Sequence, residues 1–199
     1  MKYVPAKHRR SIRLKGYDYS QAGAYFVTIV TRNRACLFGN MVHDEVWLNV
    51  MGKIVQWTWQ DLPNHVRNVQ LDAFVVMPNH IHGIIVIVSG TVVGVGSVRA
   101  GSVRAGSEPA PTTAGTRRQG LPEIVRQLKT FSSRRINEHR NTPSVPVWQR
   151  NYYEHVIRNG DELNRVREYI VNNPLKWELD RENPAAKTED HAPETTWLI

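Results

Sequence analysis

Residues 69–88, VQLDAFVVMPNHIHGIIVIV, decide the fold. They contain two runs of mainly β-branched and apolar residues, VQLDAFVVM (69–77) and IHGIIVIV (81–88), whose length and composition are typical of strands. Between the runs lie Pro78 and Asn79, two residue types that favour tight turns. The stretch therefore predicts a β-hairpin near the middle of the chain.

The flanking sequence predicts further strands and helices. Residues 24–31 (AYFVTIVT) and 147–158 (VWQRNYYEHVIR) are typical of strands. Apolar residues recur at helical spacing over 45–62 and over 122–139, which predicts two helices. A third helix is expected to end near Pro174 and to open with a capping box, formed by Asn159 and Glu162. The order β-α-β-β-α-β-α favours an α+β fold with a largely antiparallel sheet.

Composition limits the class of protein. The 199 residues suggest one domain, and 41% hydrophobic residues exclude disorder for most of the chain. With 26 Lys and Arg against 18 Asp and Glu, the net charge of +8 favours a polyanionic partner, either nucleic acid or an anionic membrane surface, although ordinary basic enzymes have similar charges. The single cysteine and the absence of an apolar run after MKYVPAKHRR predict a cytoplasmic protein. No membrane span is expected, since the most apolar stretch, 81–98, falls short of the roughly 20 residues required.

Two segments differ from the rest in composition. Residues 89–120 are rich in Gly, Ser, Ala, Thr and Pro, and SVRAG occurs twice there, at 97–101 and 102–106. This pattern predicts a flexible insertion within a domain that spans residues 1–177. Residues 178–199 are polar and contain Pro, so we expect a loosely held C-terminal tail.

Two pairs of residues could form a site. His80 and His82 are two apart in a strand, so both imidazoles face the same way and could bind one metal ion; two histidines on a solvent-facing surface are the alternative. Tyr169 and Asn173 are four apart in a helix, so the amide oxygen of Asn173 lies one turn beyond the phenol and could be a further ligand. The alternative is that these two residues belong to the border and the C-terminus of an amphipathic helix.

Four blocks of the sequence resemble the HUH-type single-tyrosine transposases, in particular the REP-associated tyrosine transposases of bacteria. The blocks are RRSIRLKGYDYSQAGAYFVTIVTRNRACLFG (9–39), VVMPNHIHGIIVI (75–87), LKTFSSRRIN (128–137) and VWQRNYYEHVIRNGDELNRVREYIVNNPLKW (147–177). The resemblance implies a ferredoxin-like sandwich that nicks single-stranded DNA beside a REP-like hairpin. It also implies a 5′-phosphotyrosine link and a freed 3′-hydroxyl.

The resemblance also implies roles for individual residues. Tyr169 matches the nucleophile, and His80, His82 and Asn173 match the ligands of a Mg²⁺ or Mn²⁺ ion. Many relatives carry Gln at the third ligand position, where this chain has the shorter Asn173. The implied partner is single-stranded DNA with a hairpin, bound by a monomer or a homodimer.

Basic residues in three places are expected to contact DNA phosphates, although solvated surface charge is the alternative. They are Arg9, Arg10, Arg13 and Lys15 near the N-terminus, Lys129, Arg134 and Arg135 on the predicted helix 122–139, and Arg158 after the last strand. His155 and Tyr153 could support the site, one near the phosphate and one by stacking on a base, although roles in strand pairing and in the core are also open to them.

Two other functions remain open at this point. One is a nucleic-acid-binding protein that does not cleave, which would not require Tyr169, His80 and His82 together. The other is a metal-dependent phosphodiesterase that uses water, in which Tyr169 would be dispensable.

The insertion is expected to carry no catalytic residue. Deleting residues 97–106, which contain both SVRAG copies, should therefore leave DNA cleavage within about twofold of the full chain, because flexible linkers tolerate changes in length. A cleavage assay on hairpin DNA measures this, and loss of activity in the shortened protein would contradict the linker interpretation.

Overall fold

The computed structural model describes residues 13–14, 16–89 and 119–186. The first half contains β1 (Gly23–Val30), β2 (Gly39–Val42), β3 (Glu45–Leu48), α1 (Val50–Gln60), α2 (Leu62–His65), β4 (Val69–Val76) and β5 (His80–Ile87). The second half contains α3 (Leu121–Arg140), β6 (Tyr153–Ile157) and α4 (Gly160–Asn172). Short 3-10 helices at Arg32–Arg34 and Pro174–Leu179 complete the described elements.

The main sheet has four strands in the order β4-β5-β1-β6, and each strand is antiparallel to its neighbour. The hairpin predicted at residues 69–88 is its β4-β5 pair. In the register of β1 and β5, Val30 pairs with His80 and Thr28 with His82. The expectation of an α+β fold with an antiparallel sheet is confirmed.

The two faces of the sheet carry separate cores because side chains alternate along each strand. One face presents Val27, Ile81 and Ile85 to a large cluster that also contains the buried residues of α1 and α3. The other face presents Phe26 and Ile84 to a smaller cluster formed with α4. His80 and His82 share the face covered by α4, since they are two and four residues before Ile84.

The predicted helix over 45–62 is wrong for its first five residues, 45–49. Residues Glu45–Leu48 form β3, which pairs with β2, and α1 begins only at Val50. His43 and Asp44, with φ angles of 49° and 62°, form the left-handed turn that tight hairpins require. Asn49 then caps α1, since its side-chain oxygen accepts a hydrogen bond from the Gly52 amide at 3.0 Å.

The predicted strand over 147–158 is shorter in the structure, where β6 spans only Tyr153–Ile157 and Trp148 forms an isolated bridge with Thr31. One half of the predicted capping box of α4 forms, because Asn159 Oδ1 accepts from the Glu162 amide at 2.8 Å. The reciprocal bond is replaced, since the Glu162 carboxylate accepts from the Arg158 amide at 2.6 Å. Most of the predicted insertion, 90–118, lies outside the described residues. Among the described helices, none combines the length and hydropathy that a membrane span requires.

Gly83 on β5 lies against the ring of Trp59, which is buried and stacked on Phe74 at 4.4 Å between ring centroids. Replacing Gly83 by Ala should lower the free energy of unfolding by about 1–3 kcal/mol, because the new methyl group overlaps the Trp59 ring. Chemical denaturation measures the change. The matched control is Gly160→Ala, where a Cβ meets no heavy atom within 4 Å; equal stability of the two variants would contradict this packing argument.

Candidate active site

Two buried histidines form the centre of the site. His80 Nε2 lies 3.0 Å from His82 Nε2, and the two residues are 0% and 3% exposed. Burial lowers the pKa of His80 to about 3. Burial, with a smaller effect of His80, also lowers the pKa of His82 well below its usual value. Both rings are therefore neutral at physiological pH, as metal ligation requires.

The side chain of Asn79 fixes the tautomer of His80. Its Nδ2 donates to the carbonyl oxygens of Arg34 at 3.0 Å and Glu182 at 2.6 Å. Because carbonyl oxygens only accept, this end of the amide must be the nitrogen, and Oδ1 must face His80 Nδ1 at 2.8 Å. Oδ1 accepts from Nδ1–H. The Nε2 atom of His80 consequently carries a lone pair.

Thr28 plays the corresponding part for His82, with Oγ1 2.8 Å from His82 Nδ1. The hydroxyl can donate to Nδ1, which leaves Nε2–H to bond His80, or accept from Nδ1–H, which turns a second lone pair toward His80 Nε2. In the second arrangement two lone pairs converge. A cation bound by both nitrogens would stabilise that arrangement, since metal-binding histidines usually have their other nitrogen hydrogen-bonded.

Two oxygen-bearing side chains lie beside the histidines. Asp180 Oδ2 is 3.6 Å from His80 Nε2, and ligand atoms of Asp180, His80 and His82 all lie within 4.8 Å of one another. Burial raises the pKa of Asp180 to about 6. Asn173 is 3% exposed, donates a hydrogen bond to Asp180, and has a buried Oδ1 that accepts none from the residues described.

These four side chains fit a divalent cation. A buried amide oxygen without a partner costs free energy, and a bound cation would satisfy it. Two imidazole nitrogens, one amide oxygen and one carboxylate form a mixed donor set that suits ions such as Mn²⁺ or Mg²⁺. A His80, His82 and Asp180 group could thus bind a metal, with Asn173 as a fourth ligand.

Tyr169 lies at the edge of this donor set. Its hydroxyl is 3.4 Å from His82 Nε2, and its ring contacts Phe26 edge-on at 5.8 Å between centroids. Helix α4 holds it there, since Arg167 on the same helix makes a bidentate ion pair with Asp72 of β4 at 2.6 and 2.8 Å. The structure therefore brings together Tyr169, Asn173 and both histidines, from the helix and the strand in which the sequence analysis placed them.

Asp180 was missed by the sequence analysis, which assigned residue 180 to a polar tail. Residues 180–186 are described, and Glu182 is buried beside Asn79. Trp177, in the preceding 3-10 helix, stacks on His80 with 6.1 Å between centroids. This short segment has no apolar periodicity that would predict its position. The only signal in the sequence was that Asp180 is an acidic residue a few positions after Asn173, a candidate ligand.

Of the basic residues expected to bind DNA, those that the structure describes make contacts within the fold or lie exposed on its surface. Arg9, Arg10 and Lys15 lie outside the described residues. Arg13 pairs with Glu154 at 3.2 Å and donates to the Tyr152 hydroxyl at 3.1 Å. Arg158 is exposed, and its backbone amide donates to Glu162 at 2.6 Å.

Helix α3, which carries three of the expected DNA contacts, packs on the opposite face of the sheet from Tyr169. Lys129 Nζ donates to the carbonyls of residues 149, 150 and 151 at 3.0, 3.3 and 3.0 Å, and burial lowers its pKa to about 8. Arg134 pairs with Glu138 on its own helix at 3.2 Å, and Arg135 donates to Thr58 of α1 at 3.2 Å. These side chains are engaged in contacts within the fold.

The two supporting residues are on the face of the site but do not join the donor set. His155 Nε2 lies 2.7 Å from Glu162 Oε1 at the start of α4. Tyr153 contacts Phe26 edge-on, with 6.2 Å between centroids.

Comparison with known proteins agrees with this fold. The chain is 41% identical over 174 residues to an uncharacterized protein of Haemophilus influenzae, covering 87% of this chain and 92% of that one. The solved structure of a REP-associated tyrosine transposase bound to a REP hairpin matches with a TM-score of 0.54 and 19% identity, over 83% of this chain and 74% of that one. No protein-family model matches the chain.

The fold is that of the REP-associated tyrosine transposases, which confirms at the level of structure the resemblance found in the sequence. By its identity to the Haemophilus influenzae protein, the chain belongs to the same family as that protein.

If Thr28 orients His82 for metal binding, Thr28→Val should weaken Mn²⁺ binding about 10- to 100-fold while leaving the protein folded, because it removes the acceptor of Nδ1–H at nearly constant volume. Isothermal titration calorimetry measures the affinity. The matched control is Thr58→Val, since Thr58 is also buried but its hydroxyl donates to the Ile54 carbonyl in α1. Equal Mn²⁺ affinity in the two variants would exclude this role for Thr28.

Proposed function

We propose that this protein is a metal-dependent single-stranded DNA endonuclease and strand transferase, a transposase that acts next to REP-like hairpins through a 5′-phosphotyrosine intermediate. One observation carries the proposal: the Tyr169 hydroxyl lies 3.4 Å from His82 Nε2, at the edge of a buried set of four potential metal ligands.

The reaction we propose exchanges one phosphoester for another. Tyr169 Oη attacks the scissile phosphorus, a bond forms between them, and the bond from phosphorus to the 3′ oxygen breaks. The phenol loses its proton to water, and the leaving oxygen gains one, which frees a 3′-hydroxyl. Later attack by a 3′-hydroxyl on the phosphotyrosine reverses these changes and joins strands, since the energy of the ester is conserved.

The protein contributes position and electrostatics to this reaction. His80, His82, Asn173 and Asp180 would hold the ion, which when bound polarises the phosphate and stabilises the charge of the transition state. Phe26, packed edge-on against the Tyr169 ring, restricts the direction in which the phenol points. Asn79 and Thr28 keep the two imidazoles oriented.

A transposase with a tyrosine nucleophile is better supported than a phosphodiesterase that uses water or a DNA-binding protein that does not cleave. A water-using phosphodiesterase has no need of a phenol at the donor set, yet Tyr169 is placed there by α4. A binding protein without catalysis would retain four buried polar side chains, including an unsatisfied amide oxygen, at a cost in stability and without use for them.

The proposed partner is hairpin DNA with a single-stranded segment, in the bacterial cytoplasm. The solved neighbour is bound to a REP hairpin, and the net charge of +8 favours association with a polyanion.

The test compares the protein with Tyr169→Phe on labelled hairpin DNA, in the presence and absence of Mg²⁺ or Mn²⁺, on denaturing gels. Covalent adduct should form only with metal and should fall by roughly a thousandfold or more in the variant, because it lacks the attacking oxygen. Tyr153→Phe is the matched control: it removes a phenol on the same face, outside the donor set, and should retain activity.

Two outcomes would contradict the proposal. Cleavage that survives in Tyr169→Phe would indicate hydrolysis by water or another nucleophile. Hairpin binding without any adduct, across REP-like sequences and both metals, would favour the binding protein.

A further inference from the structure

Helix α4 crosses the main sheet and is bonded to both of its outer strands. The order β4-β5-β1-β6 places β4 and β6 at the two edges of that sheet. Glu162, in the first turn of α4, bonds His155 of β6. Arg167, just past the middle of the helix, pairs with Asp72 of β4. The helix that carries Tyr169 is therefore joined to opposite edges of the sheet at two points.

The contact with β6 is formed by a nearly buried carboxylate. Glu162 Oε1 lies 2.7 Å from His155 Nε2, and the two side chains are 10% and 13% exposed. Glu162 Oε2 accepts from the Arg158 amide at 2.6 Å. Burial raises the pKa of Glu162, but these bonds outweigh it and hold the pKa below its usual value. In a capping box this carboxylate would bond the start of its own helix, whereas here it joins the helix to the end of a strand.

The contact with β4 depends on an irregularity of that strand. The pairing of β4 with β5 shifts register between Leu71 and Phe74, and Asp72 lies in the shifted part, where its Oδ1 accepts from the Ala73 amide at 2.7 Å. Arg167 Nε and Nη2 donate to the two Asp72 oxygens at 2.8 and 2.6 Å. Bulges of this kind re-aim a side chain, and a bidentate pair fixes the orientation of two groups as well as their distance.

Few apolar side chains hold the helix between these two contacts. Val166 and Ile170 of α4 pack on three buried residues of the sheet, which are Phe26, Ile84 and Ile157. These five are all the buried members of the smaller core, whereas the core on the other face has 21. Apolar packing is not directional, so a contact of this size restrains the angle of a helix less than hydrogen bonds at two separate points.

The position of Tyr169 is sensitive to that angle. Tyr169 is seven residues after Glu162, which is about 10 Å along a helix that rises about 1.5 Å per residue. If the bond at Arg167 is lost, the helix can turn about its start, and a rotation of about 6° over this length moves Tyr169 by about 1 Å. A misplacement of about 1 Å can cost on the order of 100-fold in the rate of a reaction that requires alignment. Asn173 lies on the same helix end and moves with Tyr169.

We propose that these two polar pairs are positioning pairs of the reaction: they set the angle of α4 over the sheet and so hold the Tyr169 hydroxyl at the donor set. The pairs are His155–Glu162 and Asp72–Arg167. None of the four side chains belongs to the donor set, and each acts through the helix. The inference rests on the proposed function and adds residues on which its rate depends. It also gives His155 a role at a distance, where the sequence analysis expected it near the phosphate.

The test measures the rate of the reaction and the affinity for metal separately. The rate is that of adduct formation in a single turnover, at saturating labelled hairpin DNA and Mn²⁺. The affinity for Mn²⁺ is measured without DNA by isothermal titration calorimetry. Arg167→Gln should lower the rate at least about tenfold, with hairpin affinity within about twofold of the parent. It should also lower the Mn²⁺ affinity at least about threefold, because Asn173 moves with the helix.

Two variants separate positioning from a general loss of stability. Arg167→Lys keeps the charge and can form one bond, so it should recover part of both losses. Arg126→Gln is the matched control: Arg126 makes a bidentate pair with Glu123 at 2.6 and 2.7 Å, but both residues belong to α3. This control should equal the parent in rate and in Mn²⁺ affinity. Exposed ion pairs contribute little to stability, so thermal unfolding should show every variant folded at the assay temperature.

Further variants test whether each residue acts through its partner. Asp72→Asn should resemble Arg167→Gln, and the double variant should lose no more than the slower single one, because both changes remove the same contact. Glu162→Gln keeps the size of the side chain but removes its charge, and it should lower the rate about three- to tenfold at unchanged hairpin affinity.

Three results would overturn the inference. They are a rate and a Mn²⁺ affinity in Arg167→Gln equal to those of Arg126→Gln, losses that multiply in the double variant, and a loss of rate that weaker hairpin binding accounts for. If the parent forms no adduct, the proposed function fails, while the Mn²⁺ affinities of the variants still decide whether the pairs hold α4 against the histidines. A parent that neither forms adduct nor binds Mn²⁺ would overturn both.

Discussion

The amide of Asn79 is the interaction on which the site depends. It is completely buried and joins three segments: its nitrogen donates to the turn after β1 and to the segment around Glu182, and its oxygen accepts from His80. The Asn79 carbonyl also accepts from the Thr31 amide at 2.8 Å, which secures the hairpin to β1. A buried amide with all these partners has one orientation, and His80 therefore has one tautomer. The position of a candidate metal ligand is thus set by residues far apart in the chain.

The elements of the main sheet could be predicted because their patterns are strong and local. The runs around residues 69–88 place β4 and β5 within one residue of their ends, and α3 and α4 follow from apolar periodicity and a capping residue. The β2-β3 hairpin could not be predicted in the same way. Val46 and Val50 are four apart, so a strand and the helix after it reproduce a continuous helical pattern. What separates the two elements is Asn49, whose capping function depends on backbone geometry.

The residues of the site also differ in how far local sequence predicts them. The spacing of His80 and His82 in a strand and of Tyr169 and Asn173 in a helix is local, and each pair falls on one face by geometry alone. That the two faces meet depends on the order of strands and on the tether between Arg167 and Asp72, which no short stretch of sequence contains. The position of Asp180 beside His80 is harder still to predict from sequence, because it is set by the tertiary contacts of an irregular segment.

Charge is informative only after the contacts of each charged group are known. The sequence favours Lys129 as a phosphate contact, since it lies among arginines on a helix, yet its ammonium group holds three backbone carbonyls and is partly buried. In the structure it supports the segment that carries Arg150, whereas Arg150 and Arg32 are exposed and form no ion pair among the described residues. A lysine whose ammonium group already donates to three backbone carbonyls has fewer free donors for a ligand than an exposed arginine that forms no ion pair. The net charge of +8 favours an anionic partner, and the contacts of each charged group show which side chains are already used within the fold.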